Sequence, residues 1–170
     1  MIICGVDDAG RGSMIGPLVI SGVTINKKNI KKLRSIGVKD SKKLSSKTRE
    51  ILYKKIIEIV DDYYVVRIPP KTIDRNVFKH NLNHLEAKNM AKVIKKLNPE
   101  VAYVDSCDVD YKRFGKEIAN LSSNPKIISR HHADSRFVVV AAASIIAKVS
   151  RDKSINRLRK NFDLGSGYPS

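Results

Sequence analysis

Asp7 and Asp8 follow a short apolar run, Ile2 to Val6, and precede the stretch Ala9-Gly10-Arg11-Gly12-Ser13-Met14-Ile15-Gly16. Such a run reads as a buried strand, so the two acids stand where rigid backbone ends. The glycines that follow tolerate positive φ and let another molecule approach the main chain. Three readings compete. Two acids beside glycines most often form a solvated turn. Gly10, Gly12 and Gly16 also approximate a dinucleotide fingerprint, but that turn must open a helix, and here Pro17 leads into Leu18-Val19-Ile20-Ser21-Gly22-Val23-Thr24-Ile25, a β-branched run that reads as a second strand. Two acids would also repel a pyrophosphate. The third reading is a hairpin whose first strand presents Asp7, and with it Asp8, to a divalent cation. It requires further carboxylates from elsewhere in the chain.

Two more acids occupy suitable places. Val101-Ala102-Tyr103-Val104 reads as a strand running straight into Asp105, and Asp134 lies just before a long apolar run. Each has an ordinary alternative: Asp105 as a turn or cap acid beside Ser106 and Asp108, Asp134 as the N-cap of the following helix. Their joint arrival at strand and helix ends raises the functional reading, because ligands of mixed sheets gather beyond the strand ends.

The elements that must position these acids follow from periodicity. A short helix is predicted around Ile30 to Ser35. A longer one spans Lys47 to Asp61, with Ile51, Leu52, Ile56, Ile59 and Val60 inward and Ser45 or Ser46 as its cap. Asp62 to Ile68 alternates as a strand ended by Pro69-Pro70, and residues 71–81 read as polar and irregular. Leu82 to Leu97 reads as a helix with Leu85, Met90, Val93, Ile94 and Leu97 inward, Tyr111 to Leu121 as another, and Lys126 to Ser129 as a strand. From Phe137 to Ala147 the chain reads as a buried helix that emerges through Lys148, Arg151, Lys153, Arg157 and Arg159; residues 165–170 read as a loop. The order implies an α/β fold, a mixed sheet flanked by helices.

Composition bounds the function. A chain of 170 residues with 42% hydrophobic and 29% charged residues suits one soluble globular domain. It shows no long apolar span and no signal peptide, so a membrane role is excluded and a cytoplasmic location is expected. Cys4 and Cys107 are too few for a disulfide framework and lack zinc spacing. The formal net charge is +16. Residues 27–55 carry 12 Lys and Arg against Asp40 and Glu50, and residues 145–160 carry 6 against Asp152. Charge concentrated in two segments points to a polyanion, and nucleic acid is preferred to a membrane surface.

With these pieces assembled, the chain resembles ribonuclease HII, the type 2 ribonuclease H family, over essentially its whole length. The matching blocks are Asp7-Asp8-Ala9-Gly10-Arg11-Gly12 against a family D-E-A-G-R-G, Asp40-Ser41-Lys42-Lys43-Leu44, Asp105, Ala133-Asp134, Ala142 to Val149 with Arg151-Asp152, and Gly165-Ser166-Gly167-Tyr168-Pro169-Ser170. They fall in order and at family-like spacing. The resemblance implies an RNase H-like fold that cleaves the RNA strand of RNA–DNA hybrids and nicks duplex DNA 5′ to an embedded ribonucleotide, leaving 5′-phosphate and 3′-hydroxyl ends. It implies that Asp7, Asp8, Asp105 and Asp134 are catalytic and hold two Mg²⁺ or Mn²⁺ ions. It further implies that the Gly10-Arg11-Gly12 backbone and Tyr168 read the ribose 2′-hydroxyl, and that Lys42, Ser144, Lys148 and Arg151 contact phosphates.

The chain departs from the family pattern at Asp8, where glutamate is usual, at Ser13, where proline is usual, and at His132, where lysine is common. His131 and His132 could shuttle protons or ligate metal, or be hydrogen-bonded structural histidines. Residues 1–170 are expected to form a single RNase H-like catalytic domain without the family's C-terminal helical extension, acting as a monomer. Two alternatives stand beside the endoribonuclease: a hybrid-binding module weakened in catalysis, and another RNase H-like nuclease such as a resolvase. Gly10-Arg11-Gly12 with Tyr168 argues against the last.

Overall fold

The structure is a computed structural model that describes residues 1–13, 15–38, 41–123 and 125–162. Asp40 and the segment 165–170 with Tyr168, both part of the sequence reading, lie outside the described residues. Strand β1 (Ile2–Ala9) is the middle of a five-stranded sheet ordered β3-β2-β1-β4-β5. It pairs antiparallel with β2 (Leu18–Asn26), which pairs antiparallel with β3 (Asp62–Ile68). On its other side it pairs parallel with β4 (Val101–Asp105), and β4 parallel with β5 (Lys126–Arg130). The sheet therefore changes from antiparallel to parallel at β1, and the hairpin, the strands and the mixed character of the sheet are those the sequence implies.

Helices cover both faces. On one side lie α1 (Ile30–Ser35), α2 (Ser46–Ile59) and the 25-residue α7 (Val138–Phe162), whose buried residues share a core with Ile3, Val23, Ile25 and Val101. On the other lie α4 (Leu82–Leu97) and α5 (Tyr111–Leu121), packed on Cys4, Val6, Leu18, Ile20 and Val104. Residues of β1 alternate between these cores, as the two-residue period of a strand demands.

Helix α7 is buried on every side from Val139 to Ala147, so its apolar residues run all round rather than along one stripe. Three consecutive alanines, Ala141 to Ala143, let it approach the sheet closely. The nearest approach is to Gly5: a Cβ there would lie 2.2 Å from the Val139 carbonyl oxygen and 2.6 Å from the Val140 nitrogen. A second tether is buried, the Ser21 hydroxyl of β2 donating to the Ala143 carbonyl.

Two readings of the sequence are corrected. Residues 71–81 are not irregular: α3 (Pro70–Phe78) begins on the second proline, which fits a first helical position because its missing N–H and fixed φ cost nothing there. Ile51 is not inward but 50% exposed; α2 buries Leu52 and Ile56, four apart, and Val60, buried too, is its C-cap. Ser45 caps α2 by accepting from the Thr48 N–H.

The Gly5 contact generates a test. Gly5→Ala meets backbone, not a movable side chain, so it should destabilise the protein by at least about 3 kcal/mol, the upper end of ordinary overpacking. Urea unfolding measures this, and an unchanged midpoint would show that α7 can retreat freely.

Candidate active site

The acids meet because of strand register. Val6 of β1 stands opposite Val104 of β4 in the parallel ladder, so one residue on, Asp7 and Asp105 emerge side by side. Both follow the odd-numbered alternation of Ile3 and Val101, which faces α7. Asp134 arrives from β5: His132 takes φ +53° and turns the chain into α6 (Ala133–Arg136), whose first turn holds Asp134. The cap reading of Asp134 is thereby corrected. His132 occupies the N-cap position of α6, and extended Phe137 separates this short helix from α7.

One carboxylate oxygen each from Asp7, Asp105 and Asp134 lies within 4.8 Å of the others. Asp7 and Asp134 are buried, at 6% and 7% exposure, and Asp105 is partly so. Asp8 is not in this trio. Alternation turns it to the face opposite Asp7, though it borders the same cavity. That cavity, of about 250 Å³, is further lined by Arg11, Lys42, His132, Ser144 and Lys148.

The electrostatics are those of like charges short of a counter-charge. Burial, then Asp105 and Asp8, push the Asp7 carboxyl well above its ordinary range, although the Asp8 backbone N–H donates to its Oδ1 at 2.8 Å. Burial, then Asp134 and Asp8, push Asp105 up to about 7. Asp8 is raised to about 6 by burial, against the opposing pull of Arg11 and Lys148. Burial depresses the Lys148 ammonium despite Asp7. A bound divalent cation would answer this excess, and an all-oxygen trio fits hard ions such as Mg²⁺ or Mn²⁺.

The remaining site residues of the sequence reading that the structure describes each have a definite place. Ser144 and Lys148, four apart on α7, border the cavity together, and Lys42 reaches it from a single 3₁₀ turn, Ser41–Lys43. Gly10 and Gly12 take φ +96° and +77°, backbone that favours glycine. Arg151 is corrected: it is wholly buried, and its guanidinium donates to the carbonyls of Pro17, at 3.1 Å, and Ile15. Buried there, it braces the loop between β1 and β2 rather than presenting its charge at the surface. His131 bonds the Asp108 carbonyl at 2.7 Å and packs edge-on against Tyr111, a structural histidine, whereas His132 borders the cavity.

Glu86 was missed. It lies wholly buried in α4 and forms an ion pair with Arg11. A signal existed, since an acid four residues before Met90 falls on the apolar stripe assigned to that helix.

A five-stranded mixed sheet with carboxylates converging at its strand ends is the architecture of RNase H nucleases. The chain matches the Ribonuclease HII family model over residues 4–170. It is 55% identical to Ribonuclease HII of Cenarchaeum symbiosum over 170 residues, all of this chain and 82% of that protein. The crystal structure of ribonuclease H2 from Pyrococcus horikoshii superposes with a TM-score of 0.92 at 49% identity, covering 100% of this chain and 82% of that one. RNase HII of Archaeoglobus fulgidus, solved in a complex with PCNA, gives 0.91 at 41% identity over 99% of this chain and 80% of that one. The chain belongs to the ribonuclease HII family and is a type 2 ribonuclease H.

The raised carboxyls carry a pH signature. A folded-state pKa above the unfolded value means that the native protein binds the proton more tightly, so stability declines as pH rises from about 4 through about 7. With metal chelated, Asp105→Asn should flatten that decline and be more stable than the parent at about pH 8. Equal urea midpoints for the two proteins across that window would show that Asp105 feels no such repulsion.

Proposed function

We propose that this chain is a metal-dependent endoribonuclease that hydrolyses the RNA strand of RNA–DNA hybrids and nicks duplex DNA 5′ to embedded ribonucleotides, leaving 5′-phosphate and 3′-hydroxyl ends. The observation that carries the reading is the trio Asp7, Asp105 and Asp134, two buried carboxylates and one partly buried, within 4.8 Å of one another, whose mutual repulsion calls for cations. With Asp8 at its border, the trio would hold two Mg²⁺ or Mn²⁺ ions. When bound, such ions supply Lewis-acid charge at a scissile phosphate.

The chain's own residues do the rest. Asp7 and Asp105, fixed by the β1–β4 ladder, and Asp134, fixed by α6, form a preorganised acidic floor. Lys148 and Lys42 bring positive charge to the cavity wall for a phosphodiester, and Ser144 offers a hydroxyl beside them. The Gly10-Arg11-Gly12 turn, bare of side chain at two of three positions, lets a sugar come against its backbone, where the 2′-hydroxyl separates ribose from deoxyribose. Tyr168 is assigned to the same recognition on the motif alone. We assign residues 1–170 to one catalytic domain that acts as a monomer in the cytoplasm.

Two experiments test the reading. Asp7→Asn removes a charge and almost no volume, so it should lower turnover on a single-ribonucleotide duplex by at least about a thousandfold while hybrid binding stays within a few-fold, as loss of interactions made only in the transition state requires. Near-native turnover would remove Asp7 from the site, and tight binding without any cleavage by the parent would favour a binding module.

Asp8 is one methylene shorter than the family's glutamate and stands outside the trio. Mg²⁺ demands near-ideal octahedral geometry. Mn²⁺ should therefore support faster cleavage than Mg²⁺, and Asp8→Glu should narrow the difference. Equal use of the two ions by the parent, or loss of activity with both in Asp8→Glu, would show that the backbone has already accommodated the shorter side chain.

A further inference from the structure

The turn between β1 and β2 has glycines in left-handed backbone on both sides of Arg11, and Ser13 rather than a proline beyond them. Such a segment does not hold one conformation by its backbone alone. Something must fix it if it is to present its amides consistently.

Its two ends are gripped by different helices. From α7, the buried Arg151 donates to the carbonyls of Pro17 and Ile15, and a Cβ on Gly10 would fall 2.2 Å from its Nε. From α4, Glu86 and Asn83 take hold of Arg11: one guanidinium nitrogen pairs with the Glu86 carboxylate, and the other donates to Asn83 Oδ1 at 2.7 Å. Residues 83 and 86 are three apart and so lie on one face of the helix. The Arg11 side chain is 32% exposed, yet Glu86 is wholly buried, and neither of its carboxylate oxygens has any other partner among the described residues.

A buried carboxylate answered by one half-exposed cation is a poor way to stabilise a helix–sheet interface. An apolar residue there would continue the stripe of Met90 and Val93 without the desolvation cost. Stability does not account for Glu86, whereas geometry does. The Glu86 carboxylate and the Asn83 amide oxygen each engage one of the two terminal nitrogens of a single guanidinium, a two-point hold that the compact ammonium of a lysine reproduces poorly.

We propose that Glu86, with Asn83, anchors Arg11 and through it sets the backbone of the Gly10-Arg11-Gly12 turn, which makes Glu86 a positioning residue for ribose recognition. The proposal rests on the reading of that turn as the ribose reader. Its consequence is a division of labour: Arg11 spends its charge on α4 rather than on substrate, and what meets the sugar is the main chain.

The test uses two duplexes of one sequence, one with a single ribonucleotide as substrate and one all-DNA as competitor. The parent should show a KM for the first well below the inhibition constant of the second. Glu86→Gln should raise KM about tenfold, in the range that coupled neighbours show, and leave the inhibition constant within about twofold. Arg11→Lys, which keeps the charge but not the fork, should do the same and covers the case in which Glu86→Gln fails to fold. In an Arg11→Ala background, Glu86→Gln should add nothing to KM yet raise the Tm, because it removes a buried charge that has lost its partner. A parent that binds both duplexes equally would defeat the ribose reading of the turn. A parent that discriminates while Glu86→Gln and Arg11→Lys keep its full preference, or effects on KM that simply add, would overturn the anchoring proposal alone.

Discussion

The contact on which the site depends is between two pieces of backbone. Where β1 passes α7 at Gly5, the absence of a side chain lets the strand touch the helix at Val139 and Val140. Two residues along, on the same face of β1, Asp7 reaches the rim, and on α7 Ser144 and Lys148 come level with the cavity about one and a half and two and a half turns beyond Val139. A methyl group at Gly5 would separate an acid from the cation that faces it. The Ser21 hydroxyl on the Ala143 carbonyl and the Arg151 guanidinium on the Ile15–Pro17 loop repeat the same fastening further along the helix. Helix α7 is in this sense the jig against which both strands of the hairpin are set.

What that jig holds together is unfavourable. Asp7 and Asp105 emerge from adjacent parallel strands, Asp134 is brought in by a turn through positive φ at His132, and burial removes the water that would screen them. The cationic side chains nearby do not cancel the repulsion, for Lys148 is itself held down by burial and Arg11 is engaged with α4. A surface evolved or designed for stability alone would not spread the charges this way. The arrangement makes sense as a preorganised seat whose electrostatic cost is recovered when a cation arrives.

Much of this was legible in the sequence because it depends on local patterns. The hairpin, the helix over Leu82–Leu97 and the strand ending in Asp105 follow from periodicity and breakers, and Asp7, Asp105 and Asp134 stand at the element ends where ligands collect. What was not legible depends on partners distant in sequence. Arg151 lies in a basic run, and nothing in that run says which residue of a long helix turns inward to meet Pro17. Glu86 reads as a misplaced acid until Arg11 is brought to it from 75 positions earlier. Helix α3 was hidden by its polar composition; among its described side chains, Ile73 packs against the core that α4 shares.

The strand order explains why the acidic trio and the glycine-flanked turn share one rim. β1 is the strand at which the sheet changes from antiparallel to parallel pairing, so its C-terminal end has two kinds of neighbour. The parallel neighbour, β4, ends at the same level and contributes an acid. The antiparallel neighbour, β2, must be reached by a hairpin, and that hairpin places a glycine-flanked turn directly beyond Asp7 and Asp8. A fully parallel sheet would have put a helix there, and a fully antiparallel one would have sent Asp105 to the opposite edge. Asp7 lies on the face of β1 that α7 covers, whereas Arg11 of the turn is held by Glu86 and Asn83 of α4, so the acidic trio and the turn lean on different helices. If the turn reads the sugar as proposed, a change at the α4 anchor alters which sugar is accepted without moving the trio.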